Sequence, residues 1–373
     1  LDSNIDLERY DHIYLSRVFT FTKLPKFYTE SIGTINENKF HIGGTGFYAT
    51  IESIKEFTSR RNDDMFKLEK DEYLCTLRNY RGGHNEFGIN MACQMPYYHL
   101  YDAYVDQQVK KGFKREKYKD YLKYSIGFLT RGCIRHCPFC INKLEKTIVP
   151  HSRLKWFLDT EKDEKNRRVR PYIYLWDDNF LAADYNIWKP LLQELIDTKQ
   201  AFQFRQGMDI RLMTEEKAQI LMNSKYCGDY IFAFDHYKLD DPEEKKQVEQ
   251  TVKGLDVWRK YCNKSTKLYV LVAYDSQDER DIEGTFYRIK ILMEYGCLPY
   301  IMRYESYKDS KYKTLYTQLA RWCNQPGFFK KMSFRQAENR VKIELPGDIT
   351  MTPKEIINAI NAKLEATILG NVA

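Results

Sequence analysis

The sequence predicts an α/β fold in which parallel strands alternate with helices in an open, partial (β/α)6 TIM-type barrel. Six short apolar, β-branched or aromatic runs lie between residues 124 and 305, and amphipathic stretches separate them. Strands alternating with helical patterns imply βαβ units and a parallel sheet. The runs recur about every 30 to 45 residues over roughly 180, whereas a closed eight-stranded barrel takes about 250. Six units therefore leave the barrel open, and a flat doubly wound sheet is the competing arrangement. A small N-terminal α/β, Rossmann-like domain with a basic linker (1–123) precedes this region. A helical C-terminal extension (306–373) follows it.

Within the first domain, Asp11 to Ser16 reads as a short buried strand. Phe40 to Gly46 reads as a second strand running into a Gly43-Gly44-Thr45-Gly46 turn, where glycine lets backbone approach backbone or a ligand. Residues 60–123 lack clear periodicity. They end in Lys110–Lys123, with seven basic and two acidic residues and tyrosines among them, as expected of a helix with a solvated face. The strand runs are then Ser125–Thr130, Tyr172–Trp176, Phe202–Gln206, Tyr230–Asp235, Leu268–Tyr274 and Tyr300–Tyr304. The helical stretches are Leu154–Leu158, Trp188–Ile196, Glu215–Met222, Glu243–Tyr261 and Ile282–Glu294. Tyr307–Phe334 is rich in Tyr, Lys and Trp, and its Arg321–Lys331 stretch reads as packing that caps the barrel, with a clamp for nucleic acid or peptide as the competing role. Near the end, Thr352-Pro353-Lys354-Glu355 has capping-box spacing, and Ile356, Ile357, Ile360 and Leu364 form one apolar stripe.

Of the 373 residues, 43% are hydrophobic and 30% charged, the balance of a folded globular chain rather than a disordered or fibrous one. The longest apolar runs, such as Leu268–Ala273, fall far short of the roughly 20 residues that span a bilayer. No signal-peptide pattern opens the sequence, so the cytoplasm is the expected compartment and no membrane partner is expected. The absence of an initiator Met leaves room for a further βα unit upstream. A net charge of +7 is too small for this length to imply nucleic acid by itself. Nine cysteines do not form a secreted disulfide framework. Cys75, Cys93, Cys227, Cys262, Cys297 and Cys323 are scattered, while Cys133, Cys137 and Cys140 are clustered.

That cluster sits in Thr130-Arg131-Gly132-Cys133-Ile134-Arg135-His136-Cys137-Pro138-Phe139-Cys140, directly after the first strand of the βα series. Ligands of open α/β sheets and barrels collect at the carboxyl ends of strands. Three thiolates within eight residues suit zinc or an iron–sulfur cluster. A closed zinc site needs a fourth ligand, which would have to be His136, His151 or a distant cysteine, and His136, squeezed between Arg135 and Cys137, is poorly placed to supply it. A 4Fe–4S cluster held by three cysteines keeps one iron open for a small molecule. Structural zinc and uncoordinated thiols are the competing readings.

Cys-x3-Cys-x2-Cys with Phe139 before the last cysteine, in this position, resembles the radical S-adenosylmethionine (radical SAM) superfamily. Gly127-Phe128-Leu129-Thr130-Arg131-Gly132-Cys133 resembles the branch that often carries a cobalamin-binding-type domain upstream. The resemblance covers roughly residues 124–305. It implies that Cys133, Cys137 and Cys140 bind a 4Fe–4S cluster whose open iron chelates SAM, and that Phe139 belongs to the cofactor site. It also implies a reductant such as flavodoxin or ferredoxin, and a 5′-deoxyadenosyl radical that abstracts hydrogen from substrate. The Asp-x-His-x-x-Gly signature of base-off cobalamin binding does not occur, and cobalamin is not expected.

Other residues are candidates by position. Tyr172–Phe180 ends an apolar strand in Asp177, Asp178 and Asn179. The superfamily often has a Gly-Gly-Glu-like motif there that contacts the SAM amino group, and these acceptors can play that part; a helix cap and turn is the plainer role. Arg205, Asp209 and Arg211 share one parity in a run that should be apolar if buried in a parallel sheet. With Gln206, they are candidates for the SAM carboxylate, its ribose or substrate, against an Asp209–Arg211 ion pair. Asp235 is a candidate acceptor for ribose hydroxyls, and His236 reads as a loop residue. Arg303 and Glu305 read as an ion pair. Cys323 lacks a second Cys-x2-Cys partner and does not read as an auxiliary-cluster ligand.

The expected function is therefore that of a radical SAM enzyme of unassigned reaction. A metal-stabilised, non-catalytic binding module is the reading from another class, and a SAM sensor without turnover is a third. Substrates remain open among nucleic acid, peptide and small molecule. The basic segments at Lys110–Lys123 and Arg167–Arg170 are the features that bear on nucleic acid.

Overall fold

Apolar spacing and capping residues dictate most of the elements. The structure, a computed structural model, describes residues 9–16, 23–24, 40–43, 68–69, 72–73, 94–140, 142 and 147–331. Contacts divide the chain into two units, Leu1–Arg170 and Pro171–Ala373.

In the first unit, β1 (Ile13–Ser16) pairs in parallel with β2 (Phe40–Gly43), Ile13 opposite Phe40. Both strands fall where the sequence places them. Gly44, Thr45 and Gly46 lie outside the described residues, as do Cys75, Cys93 and the capping-box segment at Thr352. β3 (Leu68–Glu69) and β4 (Glu72–Tyr73) form a two-residue antiparallel pair. Helix α1 (Asp102–Lys110) buries Val105; a 3-10 turn (Arg115–Tyr118) and α2 (Lys119–Leu122) follow, with Leu122 buried. The predicted basic helix is thus two short helices broken at Gly112, whose φ of +90° no other residue adopts cheaply.

Next come β5 (Tyr124–Gly127), β6 (Thr130–Arg131) and β7 (Val149–Pro150), with β7 antiparallel to β6. The Tyr98 hydroxyl accepts from the Ile126 amide at 2.8 Å and donates to the Phe157 carbonyl at 2.6 Å, tying the segment before α1 to β5. Arg170 is 1% exposed and is held through its two Nη atoms, which donate to Asp159 at 2.5 Å and to the Tyr98 carbonyl at 2.8 Å, while the guanidinium lies over the Tyr98 ring and its buried Nε has no hydrogen-bond partner. A buried guanidinium without such partners would cost several kcal/mol, on the order of 3–5.

The second unit carries the βα alternation. Strands β8 (Tyr172–Leu175) and β9 (Ala201–Phe204) pair in parallel, with Tyr172 opposite Ala201. Strands β10 (Tyr230–Ala233), β11 (Thr266–Val272) and β12 (Leu298–Arg303) form a second parallel set. Single parallel bridges, Phe202 to Tyr226 and Met208 to Phe232, lie where the first set gives way to the second. The order follows the sequence, as successive βαβ units require. Each strand matches its predicted run to within a few residues. This is an α/β unit of parallel strands, and no closed barrel is formed among the described residues.

Helices α3 (Tyr185–Asp197), α4 (Glu215–Asn223), α5 (Pro242–Tyr261) and α6 (Glu279–Glu294) separate the strands. Thr214, Asp241 and Asp278 cap the last three, each side chain accepting from first-turn amides. Trp188, Leu191, Leu192 and Leu195 form the buried stripe of α3; Val248, Thr251, Leu255 and Trp258 form that of α5. On β11, Thr266, Leu268, Val270 and Val272 are buried while Lys267, Tyr269 and Leu271 are half-buried, so the strand has a dry face and a wetter one.

The region after β12 continues the same unit. Helix α7 (Lys313–Cys323) buries Leu315, Tyr316, Leu319, Trp322 and Cys323, and α8 (Pro326–Phe329) follows. The Asn324 side chain accepts from the Ile301 amide at 2.7 Å and donates to the Ile301 carbonyl at 3.0 Å. One amide group thus acts as a strand neighbour for β12, one way of blunting a sheet edge. Burial raises the Cys323 thiol far above its ordinary pKa, which suits packing and not chemistry. The expected Arg303–Glu305 pair does not form. Arg303 donates to Thr317 and lies over Tyr307, and Glu305 sits 3.6 Å from Lys308. Their shared parity counted only while the strand continued, and β12 ends at Arg303.

Candidate functional site

The cysteine loop leaves β6 and returns through β7. Thr130 lies opposite Pro150 and Arg131 opposite Val149, and the His151 amide donates to the Leu129 carbonyl at 2.8 Å. Both ends of the loop are therefore pinned by backbone. Gly132 opens it with φ +105°, and a Cβ there would stand 1.9 Å from the Thr147 carbonyl oxygen, so only glycine fits. Arg131 lies over the Phe128 ring at 4.6 Å.

Inside the loop, the Cys140 amide donates to the Cys137 carbonyl at 3.0 Å, closing a turn with Pro138 at its second position. Phe139 occupies the third position and is half-buried. Cys133, Cys137 and Cys140 are thiols of intermediate exposure. Ile134, His136 and Pro138 are exposed, so Cys133 and Cys137 face the more sheltered side and His136 does not. The Arg135 amide points at the Cys133 sulfur and the Asn142 amide at the Cys140 sulfur, each at 3.4 Å. The donor set fits a thiolate-held cluster in kind and in accessibility. Among the described residues, though, no three His, Cys, Asp or Glu side chains are gathered into a metal-holding group.

In the second unit the predicted residues fall at the carboxyl ends of strands. Asp177 is 3% and Asn179 4% exposed just past β8, while Asp178 is half-buried. Asn179 precedes a 3-10 turn (Phe180–Ala182), and its side chain makes no cap hydrogen bond there. Capping therefore does not account for that amide. Arg205, just past β9, lies 4.5 Å from the Tyr174 ring and 6.0 Å from Trp176, and donates to Gln203 at 3.3 Å. Gln206 is exposed.

Asp209 and Arg211 are brought together. Asp209 Oδ1 accepts from the Arg211 Nε at 2.7 Å and Oδ2 from Nη2 at 3.0 Å, a bidentate pair with Asp209 6% exposed. Arg211 Nη1 also reaches Gln247 Oε1 at 2.7 Å and His236 Nε2 at 2.9 Å. An arginine donates only, so His236 Nε2 accepts, and its Nδ1–H donates to Glu244 Oε1 at 2.8 Å. The side chains thus form a chain running Asp209, Arg211, His236, Glu244. These groups hold the ends of β9 and β10 to the first turns of α5.

Asp235 accepts from the Leu271 amide at 3.2 Å, and burial raises its carboxyl pKa against the pull of Arg288. Arg288, fully buried, donates to the Asp235 carbonyl at 3.0 Å and the Leu271 carbonyl at 2.9 Å. Sequence reasoning missed Arg288, Glu244 and Gln247. Arg288 gave a usable signal: it falls among Ile282, Thr285, Ile289 and Leu292, on the face of α6 that should be apolar.

No family model and no curated protein matches this chain. Among solved structures it is similar to the radical S-adenosylmethionine methyltransferase TsrM from Kitasatospora setae, solved with cobalamin and a 4Fe–4S cluster bound. The TM-score is 0.37 and the identity 12%, over 51% of this chain. The chain spans 38% of the length of that protein. No helix among the described residues is long and apolar enough to cross a membrane.

Proposed function

We propose that the protein is a radical SAM enzyme. The observation that carries this reading is the Cys133-x3-Cys137-x2-Cys140 loop: three part-exposed thiols, two with an amide aimed at sulfur, after a strand and between pinned ends. Cys133, Cys137 and Cys140 would hold a 4Fe–4S cluster. Such a cluster would supply the electron for reductive cleavage of SAM, the radical chemistry of this reading. The superfamily's open barrel belongs to this reading, and the parallel strands β8 to β12 support it.

The chain's own residues bind and orient. Asp177, Asp178 and Asn179 are the candidates to accept from the SAM ammonium group. Gln206 and Asp235 are candidates for its ribose. Arg211 is occupied by Asp209, His236 and Gln247, so its part in the reading is to position Asp209 and the strand ends. A flavodoxin- or ferredoxin-type reductant in the cytoplasm completes the proposal.

The test is anaerobic reconstitution with iron and sulfide, then dithionite and SAM. Production of 5′-deoxyadenosine by the wild type and its loss in Cys137→Ala is the expected outcome. A loaded cluster without SAM cleavage would overturn the reading. So would zinc at about one ion per chain with no iron, which favours a closed structural site.

A further inference from the structure

The surface of α1, the 3-10 turn and α2 carries an arrangement that the cluster chemistry does not use. Four tyrosines form a ladder across it. Tyr101 and Tyr121 stack with centroids 4.6 Å apart, Tyr121 lies 6.4 Å from Tyr118, and Tyr118 meets Tyr104 edge-on at 6.0 Å. Tyr101, Tyr104 and Tyr121 are between 43% and 46% exposed, and Phe113 is 45% exposed. An aromatic ladder this open contributes little to a core.

Basic residues surround the rings. Lys110, Lys111, Lys114, Arg115, Lys117, Lys119 and Lys123 are all exposed, and only Glu116 and Asp120 oppose them within that stretch. Lys117 lies over the Phe113 ring at 5.4 Å. On α1, Asp102 is held by His99 and Asp106 by Arg115, each at 2.7 Å, which softens the acidic side of the helix. Rings open to solvent and a dense positive field are the two halves of a single-strand platform. Bases stack on the rings whatever their identity, and lysines track the phosphates. A duplex keeps its bases stacked on each other and offers these rings nothing.

We infer that the Tyr101–Tyr121 ladder with its lysine rim binds single-stranded nucleic acid. The inference stands apart from the cluster, and its test needs neither iron nor SAM. Full-length protein is titrated against a fluorescein-labelled single strand of about 15 nucleotides, as RNA and as DNA, and against a duplex of the same length. The single strand should bind more tightly than the duplex. Its affinity should fall tenfold or more, as an order of magnitude, between roughly 50 and 200 mM salt.

Tyr101→Ala with Tyr121→Ala should weaken single-strand binding by about tenfold, and Tyr101→Phe with Tyr121→Phe should restore it, because the ring and not the hydroxyl does the stacking. Lys114→Glu with Lys117→Glu, both at exposed positions, should weaken binding and flatten the salt dependence. No binding at low salt, preference for the duplex, or an affinity indifferent to the alanine pair would overturn the inference. Binding that responds to the lysine variants alone marks a general polyanion surface and overturns it equally. A protein that binds the strand yet fails to cleave SAM would sink the radical reading and leave this one standing.

Discussion

At Gly132 the backbone adopts φ +105°, and the Thr147 carbonyl oxygen occupies the place a Cβ would take. Two separate penalties meet in one residue. The conformation alone costs about 1–3 kcal/mol for a residue other than glycine, and the clash adds to it. The strand return through β7 carries Thr147's neighbours, so relief must come from unpinning the loop rather than from a side-chain turn. Gly132→Ala should therefore unfold at lower temperature than wild type by differential scanning calorimetry and retain less iron after reconstitution. Unchanged iron binding would mean that the loop's entry geometry does not matter to the thiols. The sequence made this residue conspicuous, since it sits directly before Cys133, but not why glycine is required there. The oxygen it must avoid lies fifteen residues on.

Among the elements, strands and helices in the second unit were legible because each carries its own period. Trp188, Leu191, Leu192 and Leu195 need no partner to announce a helix, and the alternation of β11 from Thr266 to Val272 needs none to announce a strand. What stayed hidden is contact between elements. Arg303 and Glu305 matched in parity and sign yet went to different partners, because the chain leaves the strand between them. Asn324 gave no signal at all, being a polar residue just past a helix. Its side chain nonetheless supplies both hydrogen bonds to Ile301, a residue 2% exposed. Asn324→Ala would leave that amide and carbonyl without protein partners, at a cost of about 1–3 kcal/mol. A lower urea midpoint at constant slope is the expected result. An unchanged midpoint would show that β12 does not depend on this cap.

For the molecule as a whole, the cysteine loop was conspicuous because the spacing of its three cysteines is local, whereas the strand-end groups were readable only as positions. Asp177 and Asn179 are buried at the end of β8 as that position demands, but the partnership of Arg211 with His236 and Gln247 required α5 in place. On the proposed reading, a cluster held by Cys133, Cys137 and Cys140 would tie together the middle of a loop whose two ends β6 and β7 pin. Whatever binds the folded state and not the unfolded chain stabilises it by mass action, and metal binding that organises its own ligands appears as folding energy. Protein reconstituted without oxygen should accordingly unfold at a higher temperature than the metal-free form. The triple Cys133→Ala, Cys137→Ala, Cys140→Ala variant should show one unfolding temperature with or without iron and sulfide. Iron bound at cluster stoichiometry with no rise in unfolding temperature would place it elsewhere than on a loop whose ends β6 and β7 hold.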